Sequence, residues 1–166
     1  MAVSRPDRIL RVMIDANVLI AGITYPRWPY EVLQHGLRGD FQLVLSPTVI
    51  ADARRVIDKT FPAYAQDYTT FLDLCEYEEI GDPTLDEVAA NSDLVRDIKD
   101  VPVALSAIGA NVDYLVSNDD DLAAEDASTE RLRQLLRVIR VGPFLRYVMR
   151  WSDEELQEIR TRNWLG

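Results

Sequence analysis

The sequence predicts an α/β fold, a three-layer α/β/α sandwich around a mainly parallel central sheet. Short apolar runs read as strands at Arg11–Ile14, Phe41–Leu45, Leu74–Ile80, Asp113–Ser117 and Val138–Val141, and segments with helical spacing separate them. At 166 residues the chain is long enough for one domain with a substantial core and too short for two comfortable ones. Its make-up, 48% hydrophobic and 28% charged, is that of a globular protein. Residues 1–150 are expected to form that domain, and residues 151–166 a C-terminal helix docking on it or on a second copy.

The first strand passes straight into an apolar helix from Val18 to Ile23, with Asp15 at the seam. Tyr30, Val32, Leu33 and Leu37 have helical spacing, closed by Gly39 and Asp40. After the second strand, Ser46-Pro47 reads as a helix start, hydroxyl first and proline where its missing amide costs nothing. Val49, Ile50, Ala53, Val56 and Ile57 form one stripe along that helix. At about 100° per residue, Asp52 falls on the border of the stripe.

Phe61-Pro62 breaks the pattern, and Tyr64, Tyr68, Phe71 and Leu72 predict another helix. The third strand follows, carrying Cys75 as a packed thiol, and Gly81-Asp82-Pro83 ends it in a turn. Leu85 to Leu94 predicts an irregular or short helical link. Asp97-Ile98-Lys99-Asp100 then leads into a small-residue helix, Val103 to Ala110, with Pro102 in its first turn and Asp100 at its N-terminus. The fourth strand ends in Ser117, Asn118, Asp119, Asp120 and Asp121. Arg131–Leu136 reads as a helix, and Gly142-Pro143 opens another through Met149. Ser152-Asp153-Glu154-Glu155 is a capping box for the last segment.

Charge is distributed unevenly. Residues 1–60 carry eight basic and six acidic side chains, residues 61–130 two and eighteen, and residues 131–166 eight and four, for a net charge of −10. Such a middle section ordinarily makes a solvated face. A nucleic-acid partner therefore requires metal ions or arginines to supply the positive field, and Arg54, Arg55, Arg131, Arg133, Arg137 and Arg140 either border a phosphate backbone or pair with surface acids. The single cysteine excludes an internal disulfide, no apolar run is long enough to cross a bilayer, and no secretory signal is visible, so a cytoplasmic protein is expected.

Four carboxylates share one topological position. Asp15 follows the first strand, Asp52 edges the helix after the second, Asp100 opens a helix, and Asp119 follows a later strand. In a parallel sheet the ligand crevice lies beyond the carboxyl ends of the strands. Taken alone, Asp15 reads as a helix cap and the aspartates after Ser117 as a polar turn. Taken together, acids about 4 Å apart repel by roughly 4 kcal/mol at an effective dielectric near 20, so they either hold protons or surround a cation. Oxygen ligands without Cys or His suit Mg²⁺ or Mn²⁺.

At these residues the chain resembles the PIN domain, a metal-dependent ribonuclease fold, and is most similar to the VapC-like toxins of type II toxin–antitoxin pairs. The resemblance rests on Asp15-Ala16-Asn17-Val18-Leu19, on Ser46-Pro47 with an acid six residues after the serine, on Asp97-Ile98-Lys99-Asp100, and on Tyr114 through Ser117-Asn118-Asp119-Asp120-Asp121-Leu122. It covers roughly residues 10 to 145. It implies that Asp15, Asp52, Asp100 and Asp119 carry the metal site with help from Asp121, that Ser117 and Asn17 orient its carboxylates with Asp97 in support, and that the reaction is hydrolysis of RNA. It also implies an antitoxin partner and a homodimer. The family's second acid is usually glutamate. Asp52 is one methylene shorter, which implies contact with the metal through water.

A PIN-like module that has lost hydrolysis and acts by protein association is the alternative, motivated by Asp52 and the overall acidity. An aspartyl nucleophile at Asp15 is disfavoured because the position two residues on, where haloacid dehalogenase-like enzymes carry a second aspartate, is Asn17. His35, the only histidine, reads as a surface or capping residue, which counts against a triad with a histidine base. Trp28, Trp151 and Trp164 read as packing residues or interface anchors.

Overall fold

In the computed structural model, which describes residues 8–165, the sheet is built outward from β1 (Arg11–Ile14). Val12, Met13 and Ile14 are completely buried. A strand apolar on both faces can be covered only from both sides, which is the requirement of a central parallel strand. β1 pairs in parallel with β2 (Gln42–Leu45) on one side and β4 (Tyr114–Val116) on the other. β3 (Glu78–Glu79) and β5 (Val138–Ile139) form the edges, giving five parallel strands in the order β3-β2-β1-β4-β5. The chain builds outward from β1 through β2 to β3, then crosses back to β4 and β5. The strand order therefore reverses between β1 and β4, and the crevice at the carboxyl ends of these two strands is the topological switch point.

Helices α1 (Ala16–Thr24), α2 (Trp28–Arg38), α3 (Pro47–Thr60), α4 (Ala65–Leu74), α5 (Leu85–Ala90), α6 (Val101–Gly109), α7 (Asp120–Ala123) and α8 (Glu130–Leu135) occupy the connections. The α1–α2 contact is close because Gly22 has no side chain. A Cβ there would stand 2.5 Å from Leu33 Cδ1 and 3.0 Å from the Pro29 carbonyl. Gly39 closes α2 in the left-handed conformation (φ 81°), which glycine adopts without steric cost. Ser46 caps α3 by accepting the Val49 N–H, with Pro47 in the first turn, as the sequence predicts.

Several local expectations need correction. Leu74 to Ile80 is not a continuous strand. Leu74 ends α4, and the amide of the buried Cys75 closes that helix on the Phe71 carbonyl (2.9 Å), leaving only Glu78–Glu79 to pair with β2. The helix expected from Gly142 to Met149 begins as a short turn, α9 (Val141–Pro143), and widens into a π-helical turn over Phe144–Val148. Arg150, at φ 71°, turns the chain out of it. The link after the Gly81 turn contains a full capping box, with Thr84 and Glu87 satisfying each other's backbone amides at the start of α5.

His35 is buried rather than a surface residue. Its Nδ1 meets Asp40 at 2.8 Å and its Nε2 accepts the Trp151 indole N–H at 2.9 Å. All three tryptophans join the C-terminal segment to α1 or α2. Besides the Trp151 bond, Trp28 donates to the Leu156 carbonyl and Trp164 to the Thr24 carbonyl, each at 2.9 Å. Leu156 and Ile159 on the last helix, α10 (Asp153–Ile159), are buried by this packing.

Candidate metal centre

Asp15 stands one residue beyond β1, and its amide bonds the Val116 carbonyl (3.3 Å), which fixes it between β1 and β4. Its side chain is buried and both oxygens are engaged. Oδ1 accepts the Val18 N–H at 2.9 Å, capping α1, and Oδ2 accepts the Ser117 hydroxyl. The helix cap and the crevice carboxylate are thus the same side chain. Burial pushes its carboxyl up from the ordinary value, bonds from Ser117 and Val18 oppose that rise, and the charge of Asp119 adds to it.

Ser117 is fully buried beyond β4 and ties two acids together. It donates to Asp15 while its oxygen accepts the Asp119 N–H at 3.1 Å. Asp119 in turn caps α7, with Oδ1 accepting the Asp121 N–H at 2.9 Å. The turn is held from β5. Arg140 donates to the Asn118 carbonyl (2.8 Å) and to Asp120 (2.6 Å), while the Asn118 side chain accepts the Val141 N–H (3.0 Å). Asp120 therefore points to Arg140 as an anchor, and Asp119 is left to line the crevice.

Asp15, Asp52, Asp100 and Asp119 line one cleft of about 190 Å³, together with Asn17, Thr48, Arg55 and Lys99. Among the described residues, a group of three acids close enough to share one ion lies next to it. Carboxylate atoms of Asp97, Asp100 and Asp121 lie within 4.8 Å of one another, so Asp100 belongs to both groups. Its carboxyl is pushed up to about 7, first by burial and then by the charges of Asp119, Asp97 and Asp121, and it shares a hydrogen bond with Asp119. A carboxyl at that value is half protonated near neutrality, the expected response of an acid buried beside other acids.

Asp52 is the outlying member. Its side chain is 43% exposed and pairs with Arg55 one helical turn on, at 3.3 Å. Asn17 is exposed on the first turn of α1, and its backbone amide favours the charged form of Asp15. Asp97 caps the turn before α6 by accepting the Lys99 N–H at 3.0 Å, which presents it towards Asp100.

Arg96 is the residue that sequence reasoning missed. Its guanidinium holds Asp121 through Nε at 2.7 Å and a terminal nitrogen at 2.5 Å, and so supplies part of the missing positive charge. Adjacency to Asp97 was the only available signal. Among the arginines weighed from sequence, Arg55 lines the cleft. Arg131 pairs with Asp93, Arg140 with Asp120, and Arg54 turns inward to Thr69 and the Ala65 carbonyl.

The donor set suits a hard divalent cation. The candidate ligands in the cleft are oxygens, four of them from carboxylates, no Cys or His lines it, and such a cation would relieve the repulsion that adds to burial in raising Asp100.

A PIN domain family model matches residues 11–121. No curated protein matches the chain. Among solved structures, PAE2754 from Pyrobaculum aerophilum is similar in fold, with a TM-score of 0.58 and 18% identity over 86% of this chain and 97% of that one. VapBC2 from Rickettsia felis, solved bound to a DNA fragment from its promoter, gives a TM-score of 0.52 and 18% identity over 79% of this chain and 98% of that one. The match runs from the first residue of β1 to the last aspartate of the crowded turn, and on it the chain belongs to the PIN domain family.

Proposed function

We propose that the chain is a Mg²⁺- or Mn²⁺-dependent endoribonuclease, with Asp15, Asp52, Asp100, Asp119 and Asp121 holding the ion and Asn17, Ser117 and Asp97 supporting them. The observation that carries the reading is that four acids from four separated segments line one cleft at the switch point of a PIN domain. When bound, the ion supplies activation of a water molecule and neutralisation of the phosphodiester. The chain's own part is to fix the acids and admit the strand. The Ser117 hydroxyl and the Val18 amide hold Asp15 in a single orientation, and Ser117 also ties down the amide of Asp119. Lys99 and Arg55 border the cleft and present positive charge to the RNA backbone. Asp52, one methylene shorter than glutamate and half exposed, would contribute through water.

Purified protein is expected to cut RNA when Mg²⁺ or Mn²⁺ is added, to stop with chelator, and to lose cleavage in Asp15→Asn. Full activity in that variant overturns the assignment. The biological reading extends further, to the toxin of a type II toxin–antitoxin pair acting as a homodimer in the cytoplasm. Growth arrest on expression, relieved by the product of a neighbouring reading frame, tests the toxin role, and a solution mass near one 18.9 kDa chain contradicts the dimer.

The Asp52–Arg55 pair favours one alternative, a PIN module that has lost hydrolysis and acts by protein association. Absence of metal-dependent cleavage even in Asp52→Glu selects it.

A further inference from the structure

A second cavity lies at the opposite end of the strands. It has a volume of about 440 Å³ and opens at the amino ends of β1, β4 and β5, where Leu10, Asp113 and Arg137 precede the three strands. Arg8, Arg133 and Arg137 face it against one lining carboxylate, Asp113. That carboxylate is already engaged on both oxygens, by Arg8 at 2.8 Å and by the Arg11 amide at 2.8 Å. Arg133 is held by the Thr129 hydroxyl (3.1 Å) and the Asp126 carbonyl (2.8 Å), with the Asp126 carboxylate turned to Ser128. Among the described residues, Arg137 has no carboxylate within ion-pair distance. On a chain of net charge −10, three guanidinium groups thus face one cavity against a single, already engaged carboxylate. Leu10, Val112 and the half-buried Tyr114 ring supply an apolar wall beside the arginines.

We propose that this cavity binds a nucleoside monophosphate unit, its phosphate on Arg133 and Arg137 and its base against Tyr114 and the apolar wall. Guanidinium forks match phosphate oxygens in a paired geometry, and flat aromatic or guanidinium faces receive bases. A cavity of this volume accommodates a single small ligand. The unit comes either from a free nucleotide or from the 5′ end of an RNA strand. The proposal does not depend on metal chemistry at the other end of the sheet.

Calorimetric titration in chelator, at low salt, with adenosine 5′-monophosphate, adenosine, inorganic phosphate and a 5′-phosphorylated oligoribonucleotide tests it. Adenosine 5′-monophosphate or the oligonucleotide is expected to bind, adenosine is not, and Arg137→Ala should weaken binding by about tenfold or more. Arg137 is exposed, so an unchanged urea midpoint in the variant separates loss of the site from loss of the fold. Equal affinity for the mononucleotide and the oligonucleotide identifies a free nucleotide as the source. A clear, Arg137-dependent preference for the oligonucleotide identifies the RNA end. Failure of both to bind, binding indifferent to Arg137→Ala, or inorganic phosphate binding as tightly as the nucleotide overturns the proposal.

Discussion

Neutralising Asp100 should stabilise the metal-free protein above neutral pH and have little effect below pH 4. Its carboxyl lies at about 7 in the folded chain against an ordinary 3.8. A raised carboxyl contributes stability that is fully present below the unfolded value and is lost as pH rises through the folded one. The loss therefore falls between about pH 4 and pH 7. At about 1.36 kcal/mol per pH unit this interval corresponds to about 4 kcal/mol. Because the side chain is only half buried, solvent screening brings the expected effect down to about 1–2 kcal/mol. Urea unfolding in chelator of wild type and Asp100→Asn, at pH 4 and pH 8, reads the difference for Asp100 and the acids packed on it, since carboxyls remote from this cluster titrate alike in both. The variant should be more stable at pH 8 by that amount and equal or slightly less stable at pH 4. Identical pH dependence in the two proteins would show that burial and neighbouring acids do not raise Asp100.

Two further outcomes follow from the same hydrogen-bond network. Ser117→Ala leaves an Asp15 oxygen and the Asp119 amide without their partner, and should cost about 1–3 kcal/mol in urea unfolding while weakening Mn²⁺ binding. Arg96→Ala removes an exposed pair that adds little to stability, yet takes a positive charge from the crowded acids. Mn²⁺ affinity, measured by calorimetry, should therefore rise by about twofold to fivefold.

Much of the fold was legible because its informative strands are continuously apolar. Val12–Ile14, Leu43–Leu45 and Leu115–Val116 are buried on both faces and carry no competing helical signal. β3 was not legible in its bounds, because Glu78 and Glu79 owe their strand conformation to pairing with β2 on the sheet edge, with Glu78 held by Arg11. His35 was misread for a similar reason. Its burial is completed by Trp151, 116 residues away, and no local pattern contains that contact.

At the candidate site, topological position identified Asp15, Asp52, Asp100 and Asp119 as lining residues, since Asp15 and Asp119 follow strands, Asp100 opens a helix and Asp52 edges one at the same rim. What position could not give was their grouping. Asp121 approaches Asp97 and Asp100 more closely than its place in the chain suggests, because the turn before α6 faces the start of α7. Arg96 was invisible for the same reason, its partner lying 25 residues further on. The π-helical turn at Phe144–Val148 has no marker in its residues that separates it from an ordinary helix.

Titration of the metal-free protein with Mn²⁺ at pH 8, followed by calorimetry, addresses the acid crevice most directly. Wild type should take up the ion, and Asp15→Asn and Asp119→Asn should each bind it about tenfold or more weakly. No uptake by wild type, or equal uptake by all three proteins, would contradict a crevice built to hold a divalent cation.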